Sequence, residues 1–132
     1  MPVTCEIDAA RALVRTRCTG RVALQDVLEH FDTLQRDPAR PARPDVLLDF
    51  TGLETPPTTP QLSAVKDRIG WRPGFLFRFC AIAADRDVVF GIARMFQSMT
   101  ASFFEDVAVH RSLPEAEGWL EQRTGRQGRS EG

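Results

Sequence analysis

Val46-Leu47-Leu48-Asp49-Phe50-Thr51-Gly52-Leu53, followed at once by Glu54-Thr55-Pro56-Pro57-Thr58-Thr59-Pro60, decides the fold. An unbroken apolar run closed by a glycine and a Thr/Pro-rich segment reads as a buried strand that ends in an exposed turn. Lack of polar alternation places it centrally, where both faces of a sheet are covered. Beyond the loop, Leu62, Val65 and Ile69 share one helical face, so a short helix is expected over about Gln61–Ile69. Strand, polar loop and helix start form the corner at which α/β domains place their working residues.

Working outward toward the N-terminus, Val3, Cys5 and Ile7 alternate with Thr4, Glu6 and Asp8, the pattern of a half-buried strand. A second strand over 12–18 follows after the turn Ala9-Ala10-Arg11, and so short a connection forces an antiparallel hairpin ended by Gly20. Leu24, Val27, Leu28, Phe31 and Leu34 then mark a helix over about Ala23–Arg36. Asp37-Pro38 stops it, and the proline-rich stretch 38–44 forms a stiff connection into the central strand.

Toward the C-terminus, Trp71-Arg72-Pro73-Gly74 breaks the second helix, and Phe77–Ala84 reads as another strand. Asp85 is the expected N-cap of a helix over about Arg86–Phe103, with Val88, Ile92, Met95, Phe96, Met99 and Phe103 on its buried face. Val107–His110 form a last short strand. Ser112 and Glu115 have capping-box spacing ahead of a helix carrying Ala116, Trp119 and Leu120. Gly125 is the expected stop, giving a domain over 1–124 and a structureless tail over 125–132. The fold class is a single α/β domain, β-β-α-β-α-β-α-β-α, with a central mixed, mostly parallel sheet and an antiparallel N-terminal hairpin.

At 132 residues the chain can bury roughly two-thirds of its unfolded surface without staples. Seventeen basic against 18 acidic residues leave a net charge of −1, which excludes the electrostatic footprint of a nucleic-acid binder. The single lysine and the absence of Asn and Tyr fit the codon bias of a high-GC bacterial genome. Cys5, Cys18 and Cys80 have no metal-ligand spacing, and His30 and His110 are isolated, so neither a metal nor another cofactor is expected. No apolar run approaches the roughly 18 residues of a membrane span, and the thiols suit a reduced, cytoplasmic compartment.

The element order, with Leu48-Asp49-Phe50-Thr51-Gly52-Leu53 at its middle, resembles the STAS domain of bacterial anti-sigma-factor antagonists. The resemblance is closer to the small bacterial proteins grouped as STAS/SEC14-like. It extends through Ala81–Asp85 with Val89–Phe96, and through Val109–Ala116 with Trp119-Leu120. It implies a non-enzymatic regulatory module that works by protein–protein contact, or, on its SEC14-like side, a carrier or sensor of a small apolar ligand. In STAS regulators a serine in the strand-to-helix loop is phosphorylated. Laid on this chain, that motif falls on Pro57-Thr58-Thr59-Pro60, with Thr58 as the acceptor and Thr59 beside it, and without the motif's acidic residue and glycine.

Each candidate residue also has a plainer role. Thr58 and Gln61 have capping-box spacing, and Thr59 precedes a proline suited to a first helical turn. Asp49 belongs to a ligand crevice or accepts loop N–H groups. Asp85 and Asp87 with Arg94 form a polar site or complement the helix dipole. An enzyme would need Asp49, a threonine hydroxyl and a histidine within hydrogen-bond reach. Val89, Phe90 and Ala93, flanked by Arg94, widen the apolar surface of the third helix beyond one face. They are the expected contact surface for a protein partner or for a symmetric homodimer.

Overall fold

The structure is a computed structural model that describes residues 3–38, 43–70 and 77–131, with side chains left aside at 35, 69, 70 and 124–131. Its elements follow the expected order: β1 (Val3–Asp8), β2 (Leu13–Gly20), α1 (Leu24–Arg36), β3 (Asp45–Leu53), α2 (Thr59–Gly70), β4 (Phe79–Ala83), α3 (Asp87–Met99), β5 (Asp106–His110) and α4 (Leu113–Glu131). The five strands form one sheet in the order β1-β2-β3-β4-β5. β1 runs antiparallel to β2, and the remaining pairs are parallel. The apolar run at Val46 is therefore the middle strand.

A sequential order dictates where the helices go. Each crossover steps one strand in the same direction, so crossovers of one hand stack their helices on one face. Accordingly Leu34 of α1, Leu62 and Val65 of α2, and Val89, Ala93 and Phe96 of α3 pack into one core with Val14, Val46, Cys80 and Ile82. Only α4 takes the opposite face, setting Ala116 and Leu120 on Leu13, Leu47, Phe79, Ala81 and Ala83. β4 is buried along its whole length because both layers cover it.

Local chemistry fixes the corners. Ala12, with φ of 51°, turns the hairpin, and Gly20, with φ of 65°, ends β2 in the left-handed region that glycine enters freely. The β2–β3 register shifts between Arg17 and Thr19. There Gly52 lets the strands close, since a Cβ at that position would lie 2.9 Å from Thr19 Cγ2. Asp45 is buried at the start of β3, where Arg78 reaches it through Nε–Oδ1 (3.0 Å) and Nη2–Oδ2 (2.9 Å).

Several expectations need correction. The third helix begins at Asp87 with Arg86, not Asp85, in the N-cap position, and it ends at Met99 before a 3₁₀ turn over Ala101–Phe103. Its buried face is Val89, Ala93 and Phe96, whereas Val88 and Met95 are 50% and 39% exposed. Val89 and Ala93 thus cannot form a surface for a partner or a dimer. The small Ala93 lets the helix axis approach the sheet, and that selects the stripe on which Ala93 lies. Helix α4 is assigned through Glu131, past the stop expected at Gly125, since glycines lower helix propensity by about 1 kcal/mol each without removing a backbone donor. The expected breaker at 71–74 and most of the connection at 38–44 fall outside the described residues.

Candidate functional site

The C-terminal end of β3 opens into the loop 54–58, and α2 begins at Thr59. Thr58 caps that helix. Its hydroxyl oxygen accepts the Gln61 N–H at 3.3 Å, and Gln61 Oε1 accepts the Thr58 N–H at 2.9 Å, a reciprocal capping box. Thr59 is exposed, and its hydroxyl donates to Met95 Sδ at 3.5 Å, joining the start of α2 to the outer face of α3. Both threonines stand at the surface of a helix N-terminus.

Arg86 fastens the loop from the far side. Its Nη1 donates to the carbonyl oxygens of Leu53 (2.9 Å) and Glu54 (3.0 Å). Across the loop, the Glu54 N–H donates to the Gly20 carbonyl at 3.0 Å, tying β3 to the end of β2. Arg86 had no role in the sequence reading. Flanked by Asp85 and Asp87, it looks like part of a solvated first turn.

Asp49 and Asp85 do not meet: no hydrogen bond or ion pair joins them among the described residues. Asp49 is buried on the α4 side of the sheet. Its Oδ1 accepts the Thr51 N–H at 3.0 Å and the Thr51 hydroxyl at 2.6 Å, and Arg17 Nε lies 3.6 Å from Oδ2. That is the plainer, backbone-satisfying role. Asp85 is exposed, and its carbonyl accepts Arg111 Nη1 at 3.5 Å. The same Nη1 lies 2.6 Å from Asp87 Oδ1, and the guanidinium sits 4.0 Å from the centre of the Phe90 ring, which covers part of that side chain. Arg94 is exposed. No histidine hydrogen-bonds Asp49 or Thr51 among the described residues.

The feature that the sequence did not announce is a cavity of about 90 Å³ between α1, α2 and the sheet. Leu48 and Phe50, in the middle strand beneath a helical layer, would ordinarily be fully covered, yet both remain only partly buried. The same holds for Leu24, Val27, Leu28 and Phe31 of α1. The inner wall is apolar except where Thr16 Oγ1 lies 3.1 Å from His30 Nε2. Thr55, Pro57 and Gln61 stand at the loop end of the cavity, so the corner expected to carry function is its rim. Desolvation lowers the His30 pKa from its ordinary 6.5 and favours the neutral imidazole. Cys18, also in the wall, is pushed up to about 12 by burial and by Asp49, and stays a neutral thiol. Two sequence signals could have found the polar pair. Thr16 lies between Val14 and Cys18 on the inward side of β2, and His30 falls three residues after Val27 and four before Leu34.

On the α4 side, a shallow groove of about 230 Å³ runs beside Leu13, Leu47 and Leu120. Four of its charges pair with one another, Arg11 with Glu121 and Arg15 with Glu117, each at 3.4 Å, and the fifth, Asp45, is held by Arg78. Among the described residues no three His, Cys, Asp or Glu side chains converge as a metal-ligand set, and no helix is long and apolar enough to cross a membrane. In comparisons with known proteins, no family model, no curated protein and no solved structure matches this chain.

Proposed function

We propose that this chain is a non-enzymatic, cytoplasmic regulatory module of STAS-like type that acts by protein–protein contact. The observation that carries this reading is the outer stripe of α3. Val88 and Met95 are exposed, Ile92 and Met99 are half-buried, and they recur at i, i+4, i+7 and i+11 along the helix. Methionine-rich, partly exposed stripes adapt readily to a partner, because the thioether is flexible and polarisable. Thr59 touches Met95, so the loop 54–60 and α3 form one continuous contact surface. Phosphate on Thr58 or Thr59 would place charge at the edge of that surface, at the positive end of the α2 dipole.

The test is crosslinking in native host cells with wild type and Met95→Glu. A species crosslinked to wild type and lost in a folded Met95→Glu variant supports the surface, and an unchanged pattern refutes it. Self-pairing is one outcome: light scattering would then show a wild-type dimer and a Met95→Glu monomer. Intact mass after isolation from the host reads phosphate on the threonines directly. A second reading, carriage of a small apolar ligand, has the cavity over Leu48 and Phe50 in its favour.

A further inference from the structure

The cavity between α1, α2 and the sheet has a consistent chemistry. Val27, Leu48, Phe50, Leu62 and Val65 supply an apolar wall from three separate elements. None of the lining residues is Asp, Glu, Lys or Arg, and burial favours the uncharged form of His30. An ion entering here would lose its hydration with no opposite charge to meet it. A neutral guest loses little.

Size limits the guest further. A dry cavity of about 150 Å³ holds benzene, so about 90 Å³ holds a branched group of roughly four heavy atoms. A lipid acyl chain does not fit. The polar spot then selects the functional group. Thr16 Oγ1 and His30 Nε2 share one hydrogen bond, while His30 Nδ1 has no hydrogen-bond partner among the described residues. Whichever way the shared proton lies, the pair keeps both donor and acceptor capacity, and which one a given atom offers depends on the tautomer. A hydroxyl, which donates and accepts, matches either arrangement. A carboxylate would find a donor in either arrangement, but it brings a charge that no lining residue offsets.

We propose that this cavity binds a small uncharged alcohol: a branched hydrocarbon of about four heavy atoms lying over Leu48 and Phe50, with its hydroxyl against the Thr16–His30 pair. The assignment rests on the ligand-carrying reading and narrows it to a chemical class. The rim at Thr55, Pro57 and Gln61 sets the guest beside the α2 cap, so occupancy also bears on the loop that leads toward the α3 contact surface.

Amide chemical-shift titration of the full chain at neutral pH tests this, with 2-methylpropan-1-ol as the probe and isobutyrate as its charged counterpart. The expected result is saturable shifts centred on Thr16, His30, Leu48 and Leu62, with isobutyrate at least tenfold weaker. No saturable shift with either probe overturns the ligand-carrying reading itself. Equal binding of the two overturns only the uncharged-alcohol class, and saturable shifts centred elsewhere overturn the site. Val65→Phe, which fills the cavity, should abolish the alcohol's shifts, and retention of binding refutes the assignment. Should that variant lose its circular-dichroism signature, Leu62→Ala replaces it. The enlarged cavity should then favour 3-methylbutan-1-ol over the smaller alcohol at least threefold, and an unchanged preference counts against the site.

Discussion

Arg86 Nη1 holds the Leu53 carbonyl at 2.9 Å, so the last residue of the middle strand is gripped from the start of the next-but-one helix. The same nitrogen holds Glu54, and together these bonds stop the loop 54–58 from lifting off the sheet. Hydrogen bonds from a charged donor contribute about 1.5–3 kcal/mol. Arg86→Ala should cost about that much at the low end, because the site is partly exposed to water. Hydrogen exchange should also speed up at Glu54 and Thr55 while β4 amides keep their protection. Exchange unchanged at the loop would show that the Gly20–Glu54 backbone bond alone holds it.

Thr58 and Gln61 cap α2 reciprocally, and a cap of this kind contributes about 1 kcal/mol. Thr58→Ala should lower the urea midpoint by a corresponding amount, and Thr58→Ser should be nearly neutral because the hydroxyl oxygen remains. If Thr58→Ala proves silent, the first turn of α2 is held by Pro60 and packing instead.

Ala12 sits at φ of 51°, where an L-residue with a Cβ is strained by roughly 1–2 kcal/mol. Its carbonyl accepts the Asp45 N–H at 2.8 Å, which keeps the turn in that conformation. Ala12→Gly should therefore stabilise the protein, by about 0.5–1 kcal/mol once the greater freedom of glycine in the unfolded chain is offset. Thermal denaturation reads the change, and a fall in midpoint would contradict it.

Asp45 is buried, bonded twice by Arg78, and accepts the Phe79 N–H at 3.2 Å. Removing one partner of such a pair leaves the other uncompensated, at a cost of about 3–5 kcal/mol. Asp45→Ala should approach that loss. Asp45→Asn, which keeps an acceptor, should lose less. Chemical denaturation of the two variants side by side separates charge from hydrogen bonding.

The order of strands and helices was legible because each signal is local: alternation in β1, an apolar run in β3, a 3.6-residue stripe in α1. Helix α3 turns a different face inward from the one hydropathy suggests, for a definite reason. It carries two overlapping stripes, Val88-Ile92-Met95-Met99 and Val89-Ala93-Phe96-Thr100, and hydropathy favours the bulkier one. Packing against a fully buried β4 favours the one with the small residues, and Thr100 keeps its hydroxyl satisfied on the Phe96 carbonyl at 2.8 Å. The Arg78–Asp45 pair and the Arg86 grip each join residues more than 30 positions apart, so no spacing rule reveals them. The cavity is a void between elements, and no residue encodes a void by itself.

His30 gives the domain a pH dependence whose sign follows from its burial. Its folded pKa is lowered from 6.5 by desolvation, so below that value the unfolded chain binds a proton more readily than the folded one. Stability is intact above pH 6.5 and falls as the pH drops from there toward the folded pKa. Denaturant midpoints between pH 7.5 and 5.5 should decline in wild type and decline less steeply in Thr16→Val/His30→Leu, which removes both members of the pair. Every other ionisable group is common to both proteins, so the difference between the two curves isolates His30. Parallel curves would show that the imidazole reaches water freely, and would remove the uncharged lining from the account of the cavity.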